Sequence, residues 1–332
     1  MGVSWGQVSE DRLEDAWQSV DPLGEALHSL RMSGTFYCRS ELTAPWGMEL
    51  PAMPGCLMFH VVTDGECWVE SPEVGRRKLR SGDFALIPHG HGHQLKSGPK
   101  AGVVDLFDLP RQKVSPRYEL MSLGGGGKPC RLICGAVCVD DPAASGLIEA
   151  LPEVMVMRTD SPGNEWLIGM IRLMMAEARE MRAGGDTVIT RVSDILVVQA
   201  IRHWLEHDPL ARTGWLGALR DGRIGRAISL IHRHPTRPWS VRALAESVGL
   251  SRSAFASRFM ELVGETPMRY VRQWRFRVAM NWLRETDIPL SEMAEQLDYQ
   301  SEAAFNRAFK SFTGKTPGAV RREAKKRPVG VG

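Results

Sequence analysis

The feature that most constrains this chain is an internal repeat near its C-terminus. Residues 241–267 and 290–317 share one pattern, in which Leu-Ala is matched by Met-Ala, two phenylalanines spaced four apart recur, and both copies end in Gly-x-Thr-Pro. The second copy has one extra residue between its two halves. A repeat of this length indicates that one supersecondary unit is used twice.

Each copy predicts two short helices joined by a tight turn. In the first copy Ser240 can cap the first helix and Gly249 can end it, and Ser251 can cap the second helix. In the second copy Asp298 stands where Gly249 stood, and Asp accepts a left-handed backbone more readily than most residues. The sequence therefore predicts two helix-turn-helix units, at 240–263 and 290–313.

The second helix of each unit leaves a polar face outward. The major groove of duplex DNA admits one α-helix, whose side chains near the N-terminus reach base edges. The residues expected to contact DNA are Arg252, Ser253, Ala256, Ser257 and Arg258 in the first unit, and Glu302, Ala303, Asn306, Arg307 and Lys310 in the second.

A long helix is expected between the units, from Met268 to Arg284, with Pro267 at its start. A rigid connector would let the two recognition helices enter successive major grooves about 34 Å apart. Basic side chains nearby would neutralise phosphates. The arginines of the connector are Arg269, Arg272, Arg275 and Arg277.

The charge distribution agrees with a polyanionic partner. Residues 223–327 contain 20 Lys or Arg and 10 Asp or Glu, a net charge of +10, while the whole chain carries only +3 and the remainder therefore −7. Two alternatives stay open: a solvated basic face, and a helical adaptor that binds protein. The adaptor leaves the duplicated outward polar faces unexplained.

The region from Thr35 to Leu109 consists of short alternating apolar runs separated by Gly, Pro and Asp, which predicts an all-β domain. Beyond it the spacing becomes helical, with two amphipathic helices that either form a dimer interface or cover the β-domain core. The predicted strands are Leu57–Val62, Cys67–Glu70, Phe84–Ile87 and Arg131–Val139, and the predicted helices are Asn164–Arg182 and Asp186–His207.

The segment from about Arg223 to Arg322 resembles the DNA-binding domain of AraC/XylS-type regulators. The resemblance is carried by LAESVGLSRSAFASRF and GETP in the first copy, and by SEMAEQLDYQSEAAFNRAFK and GKTP in the second. It implies a monomeric domain with two helix-turn-helix units and, usually, activation of transcription, with RNA polymerase as a partner. The family often has Arg or Gln where Ala256 and Ser257 stand, which shifts the expected base reading toward Arg252, Ser253, Asn306 and Arg307.

The N-terminal half is similar to the cupin sensor domain found in a branch of the same family. Gly82, Pro88, Gly90 and His93 fit the second cupin motif, and Gly65 fits the end of the first. The resemblance implies a jelly-roll β-barrel whose interior is the default ligand site. The side chains expected to line it are Met58, His60, Trp68 and His93.

The usual cupin metal ligands are missing, because Ala52, Pro54 and Met58 occupy three of their positions. We therefore expect no metal, no cofactor and no enzymatic activity. The alternative is a cupin metalloprotein or enzyme with an accessory helical domain. A zinc site is also conceivable, from three of four histidines and possibly a cysteine; these are His60, His89, His91 and His93.

All six cysteines lie in the N-terminal half without a paired CxxC arrangement. No secretory signal and no apolar run of about 20 residues is present, so we expect a cytoplasmic protein without structural disulfides. A second sensing hypothesis is oxidation of thiols, at Cys38, Cys130 or Cys134.

Together these features predict an α+β chain: an N-terminal extension with a short helix (1–33), a cupin-like barrel (34–140), a helical linker or dimerisation region (141–220) and an all-α DNA-binding domain (221–327). The predicted function is a sequence-specific, homodimeric DNA-binding activator. A small molecule or an oxidant sensed in the barrel would control it.

Overall fold

The computed structural model describes residues 32–139, 142–180 and 182–326, together with 24, 27 and 30. These residues form two compact units, 30–211 and 212–320. The N-terminal extension predicted at 1–33 lies almost entirely outside the described residues. Within the described ranges, no helix is both long and apolar enough to cross a membrane.

The N-terminal unit is built on two β-sheets, as the alternating sequence predicts. Their strands are β1 (Met32–Thr43), β2 (Gly47–Leu50), β3 (Cys56–Asp64), β4 (Glu66–Ser71), β5 (Gly75–Arg80), β6 (Phe84–Ile87), β7 (His93–Lys96), β8 (Val104–Asp105), β9 (Arg111–Ser115), β10 (Tyr118–Gly124), β11 (Pro129–Val139) and β12 (Met155–Met157). The four strands predicted from sequence correspond to β3, β4, β6 and β11.

The predicted closed barrel is wrong, because the two sheets are open. One has seven strands in the order β12-β6-β3-β11-β1-β10-β9, and the other has five in the order β5-β4-β7-β2-β8. Their inward side chains share one apolar core, to which Met48, Val69 and Leu95 contribute from the smaller sheet and Val62 and Ala136 from the larger. Alternation of residues shows which face of a strand is covered, not whether the first and last strands pair.

The expectation of no structural disulfide is also corrected. Cys56 and Cys138 form a disulfide, although 82 residues separate them in sequence. They are direct partners in the β3–β11 ladder, which brings their side chains together. Sequence spacing alone could not show this pairing, because it depends on strand register.

The helical part of this unit contains α1 (Pro142–Glu149), α2 (Glu165–Glu180) and α3 (Gly185–His207), and the last two confirm the predicted amphipathic helices. Helix α2 buries Leu167, Ile171 and Met174. The carbonyl of Ala178 accepts bonds from Arg39 Nη1 at 2.9 Å and from Tyr118 Oη at 3.1 Å. These bonds attach the end of α2 to strands β1 and β10, so α2 covers the larger sheet.

The C-terminal unit is helical. After a 3-10 turn at Pro209–Arg212 it contains α4 (Gly214–Ala218), α5 (Ile224–Arg233), α6 (Val241–Ser247), α7 (Arg252–Val263), α8 (Pro267–Glu285), α9 (Leu290–Gln296), α10 (Glu302–Thr313) and α11 (Pro317–Lys326). Helix α8 matches the predicted connector to within one residue at each end, with Pro267 in its first turn.

Candidate nucleic-acid interface

The first repeat copy folds into the helix pair α6–α7. Ser240 Oγ accepts a bond from the Ala243 N–H at the start of α6, and Ser251 Oγ accepts one from the Ala254 N–H at the start of α7. Gly249 takes a φ of 66° in the turn between them. Both predicted caps and the predicted left-handed turn are therefore present, and they fix where α7 begins.

The second copy folds into the pair α9–α10 in the same way. Ser301 Oγ accepts a bond from the Ala304 N–H at the start of α10. Asp298 takes a φ of 67°, and no other non-glycine among the described residues has a positive φ. The paired phenylalanines Phe305 and Phe309 are fully buried, like Phe255 and Phe259 in α7.

The opposite faces of α7 and α10 are open to solvent. Ala256 and Asn306 are partly buried, whereas the other predicted DNA contacts are exposed. Among the described residues, the side chains of Arg252, Arg307 and Lys310 have no hydrogen-bond or ion-pair partner. Asn306 Oδ1 is buried and accepts no hydrogen bond. Each exposed helix therefore offers an unneutralised cation, and α10 also carries one amide oxygen that no protein group uses.

Arg258 differs from these residues, although the sequence places it in the same set. Its Nε and Nη2 atoms donate to Asp221 Oδ2 at 3.1 and 2.8 Å. Asp221 is not marked by any pattern in the sequence as a partner of Arg258. An acid shortly before a helix is a signal for capping, but nothing in the sequence links it to an arginine 37 residues away.

One arginine of the connector also departs from its predicted role. Arg275 is only 7% exposed and donates to the carbonyls of Pro235 at 3.0 Å and Arg237 at 2.8 Å. It cannot reach a phosphate from this position, so the expectation that it neutralises one is corrected. Arg269 and Arg272 are exposed on the same helix, and Arg269 is paired with Glu265 at 3.2 Å.

In the N-terminal unit a chain of polar side chains runs through the core between the sheets. His93 Nδ1 lies 3.0 Å from the carbonyl oxygen of His91, so this nitrogen must be the donor. His93 Nε2 then accepts a hydrogen bond from the Nε2–H group of His60, and the two nitrogens are 2.7 Å apart. His60 Nδ1 in turn accepts from the thiol of Cys134, whose Sγ lies 2.9 Å away. This assignment requires two neutral imidazoles, in agreement with burial, which lowers the pKa of both His60 and His93.

The predicted interior set is only partly brought together. Met58, His60 and His93 are buried, but Trp68 is on the opposite face of β4 from the inward Cys67 and Val69. Its ring faces the solvent side with Lys78 Nζ 5.9 Å from the ring centroid. The expectation that Trp68 shares the interior is corrected, because successive side chains of a strand point to opposite faces and Cys67 and Val69 occupy the inner one.

The four candidate zinc ligands do not converge. His89 Nε2 lies 2.9 Å from the Leu151 carbonyl oxygen, and His91 Nδ1 lies 2.9 Å from Glu153 Oε2, while His60 and His93 bond to each other. Among the described residues, no group of three or more His, Cys, Asp or Glu is arranged to hold a metal ion.

The thiols considered for oxidation are buried. Burial raises the pKa of Cys38 to about 11 and raises that of Cys134 well above its ordinary value. The thiolate is the reactive form, so both positions are poorly suited to rapid oxidation.

A groove of about 560 Å³ lies on the outer face of the smaller sheet. Glu49, Gln94 and Glu70 follow one another across strands β2, β7 and β4, and Arg76 on β5 bonds to Glu70 at 2.8 Å. Within the described residues, the side chains of Glu49 and Gln94 have no polar partner. The groove therefore offers one unpaired carboxylate and one unpaired amide, and no sequence pattern indicated it.

Comparisons with known proteins agree with this division of the chain. A cupin family model matches residues 21–206, and a helix-turn-helix domain model matches residues 244–323. The chain is 26% identical over 310 residues to the HTH-type transcriptional regulator AlkR of Acinetobacter baylyi, covering 92% of this chain and 100% of AlkR. It is 29% identical over 305 residues to a putative AraC-like transcription regulator of Streptomyces lividans, covering 91% and 98%.

Another relative is the RCS-specific HTH-type transcriptional activator RclR of Escherichia coli, 25% identical over 307 residues, which are 91% of this chain and 97% of RclR. Among solved structures, ToxT from Vibrio cholerae aligns over 89% of this chain and 98% of its own, with 9% identity and a TM-score of 0.36. The cupin model spans more than half of the chain, and the relatives match nearly all of it. The chain therefore belongs to the AraC family of helix-turn-helix transcriptional regulators, in the branch with an N-terminal cupin domain.

Proposed function

We propose that this regulator reads duplex DNA through two helix-turn-helix units, α6–α7 and α9–α10. The observation that carries the proposal is the shared construction of the two pairs: each places a Ser-capped helix with an unpaired arginine, Arg252 or Arg307, on an exposed face. Helix N-termini and unpaired arginines suit phosphates and guanine edges. Both pairs belong to one compact unit, which supports binding to two successive major grooves.

We expect the two helix-turn-helix units to contribute unequally to the recognition of base pairs. On α10, Arg307 can form paired bonds to guanine and Asn306 to adenine, while Glu302 and Lys310 lie beside them. On the corresponding face of α7 the side chains around Arg252 are small; they are Ser253, Ala256 and Ser257. Ala256 suits apolar contact with a thymine methyl group. Most hydrogen-bonded base discrimination therefore belongs to the second unit.

The experiment begins by selecting preferred sites from a randomised duplex library of about 30 base pairs, using the full chain. We expect Arg307→Ala to weaken binding to the selected duplex by about 1–3 kcal/mol, which is about five- to 150-fold, and to weaken binding to random duplex much less. Arg202→Ala is the matched control, because Arg202 is an exposed arginine on α3 of the other unit. Equal losses on both duplexes would show that Arg307 touches phosphate, and failure to select any duplex would refute sequence-specific binding.

We further propose that the cupin unit senses a small molecule rather than an oxidant, because the thiols at Cys38 and Cys134 are buried with raised pKa values. The outer groove is the better candidate for the effector site. The interior polar atoms of His60, His93 and Cys134 already satisfy one another, whereas Glu49 and Gln94 are unpaired. An unpaired carboxylate favours a ligand that carries an ammonium group.

A thermal-shift series tests this site with three four-carbon probes, butane-1,4-diamine, butane-1,4-diol and succinate. We expect only the diamine to raise the melting temperature, and Glu49→Gln to abolish that shift. Glu66→Gln is the control, because Glu66 is an exposed carboxylate of the same sheet outside the groove. A shift with succinate, or one that survives Glu49→Gln, would refute the assignment.

We also propose that the protein forms a homodimer and activates transcription by contacting RNA polymerase. Ile168 and Leu173 on α2 and Ile195 on α3 are exposed large hydrophobic residues, which supports contact with a second copy. The relative RclR is described as an activator. Sedimentation of wild type and Ile195→Glu tests the dimer, and transcription in vitro from a selected site tests activation.

A further inference from the structure

The guanidinium of Arg258 is paired with acidic side chains at the surface of the C-terminal unit, where the Arg258 side chain is 50% exposed. Besides its two bonds to Asp221 Oδ2, its Nη1 atom lies 3.6 Å from Glu261 Oε2 on the next turn of α7. The other oxygen of the same carboxylate, Asp221 Oδ1, accepts from the backbone N–H groups of Arg223 at 3.1 Å and Ile224 at 2.9 Å. One carboxylate therefore joins the first turn of α5 to the exposed flank of α7.

The segment that carries Asp221 is itself held in place. Helix α4 packs against α7 and buries Leu216 and Ala218. A Cβ added at Gly217 would lie 2.2 Å from the Arg212 carbonyl oxygen, and one at Gly225 would lie 2.4 Å from that of Leu219. These approaches require glycine, so the turn from α4 into α5 has one packed arrangement and presents Asp221 at a fixed place.

The second repeat copy has no counterpart of this ion pair. With the offset of 50 that aligns Phe255 with Phe305, Arg258 corresponds to Ala308, which packs on the apolar core of its own pair. At this position α10 therefore has an apolar contact, whereas α7 has an ionic one. An ion pair of this kind restrains the orientation of α7 as well as its distance from Asp221, because the N–H groups of a guanidinium lie in the plane of that group and bond to a carboxylate in this plane.

We propose that Asp221 and Arg258 are positioning residues for DNA recognition: their ion pair sets the orientation of α7, and Arg258 itself does not contact DNA. The inference rests on the proposed function and assigns Arg258 a role other than the direct contact expected from the sequence. It also makes the segment 214–221, which directly follows the boundary between the two units, a determinant of how α7 meets its half-site.

A double-mutant cycle in the full chain separates positioning from direct contact. Asp221→Asn removes the charge but keeps an oxygen able to cap α5, since Asn caps as well as Asp. Arg258→Gln removes the other partner. We expect either change to weaken binding to the selected duplex by about fivefold, and the double variant to lose no more than either single one. Binding to random duplex should change less than about twofold.

Direct contact by Arg258 predicts a different result. Asp221→Asn would then leave affinity unchanged or increase it, because the guanidinium is released, while Arg258→Gln alone would weaken both duplexes and reduce the salt dependence. That pattern would overturn the proposal, and so would additive losses in the double variant.

Glu261→Gln is the control, because it removes only the longer contact of Arg258, and circular dichroism checks that every variant is folded. The proposed function is tested separately, because it fails if the wild type selects no duplex. The positioning role fails if the wild type binds its selected duplex and Asp221→Asn does so equally well.

Discussion

Arg275 Nη1 lies 3.2 Å from Asp298 Oδ2, and this bond joins the connector helix α8 to the turn of the second helix pair. The same guanidinium donates to the carbonyls of Pro235 and Arg237, in the loop that precedes α6. One nearly buried arginine thus links the approach to the first pair with the turn of the second. The arrangement of the two pairs depends on it.

Arg275→Met is expected to destabilise the C-terminal unit by about 3 kcal/mol, because it removes the side-chain donor to the Pro235 carbonyl and to the Asp298 carboxylate, and one of the two donors to the Arg237 carbonyl. Urea unfolding measures the loss. Arg272→Met is the control on the same helix, where the side chain is exposed, and should change stability by less than about 0.5 kcal/mol. Similar values for the two variants would contradict the structural role of Arg275.

Asp298 combines a left-handed backbone with an acceptor for Arg275, so its substitutions should separate the two effects. Asp298→Gly relieves the backbone and loses only the acceptor, whereas Asp298→Ala loses the acceptor and keeps the strain. We expect the free energy of unfolding of Asp298→Ala to be about 1 kcal/mol lower than that of Asp298→Gly, as measured by thermal or urea unfolding. Gly249→Ala at the equivalent turn should cost a similar amount, and a more stable Asp298→Ala would refute the assignment.

The His60–His93 pair predicts a loss of stability in acid. Burial lowers the pKa of both imidazoles, and for His60 the neighbouring His93 lowers it further. The folded state therefore binds fewer protons than the unfolded state below the ordinary value of 6.5. The stability contributed by each neutral histidine is complete above that pH and falls by up to about 1.4 kcal/mol per unit as pH decreases below it.

Urea unfolding between about pH 7.5 and 5.5 measures this slope. His93→Gln removes one titrating group, and its amide can still take part in hydrogen bonds. We expect a shallower slope for this variant than for the wild type. An identical slope would show that the pair does not titrate on unfolding.

Thiol accessibility follows from burial and from the Cys56–Cys138 bond. Cys38, Cys67, Cys130 and Cys134 are free and buried. A chromogenic disulfide reagent should react slowly with the native protein, because all four thiols are buried and the raised pKa values of Cys38, Cys67 and Cys134 leave little thiolate at these positions. In denaturant without reductant it should titrate those four thiols, and six titrated thiols would refute the disulfide. Rapid reaction of native Cys38 would restore the oxidation hypothesis.

Local features could be predicted from the sequence, because they depend on interactions between residues that are close together in the chain. The serine caps at 240 and 251, the left-handed residues at 249 and 298 and the buried phenylalanines all follow from backbone geometry and helical period over a few residues. The same rules located β3, β4, β6 and β11, and the family motifs located both domains. The DNA-binding faces remain predictions, because exposure and unpaired charge are consistent with them but do not test them.

Relations between distant segments were decided only by the tertiary structure. The repeat, the caps and the basic bias of residues 223–327 were set by the sequence alone. Sheet closure, the Cys56–Cys138 bond and the engagement of Arg258 by Asp221 and of Arg275 by Asp298 were not. Each of these depends on where strands pair or helices cross, and a charged side chain has the same sequence signature whether its partner is a phosphate or a carboxylate elsewhere in the fold.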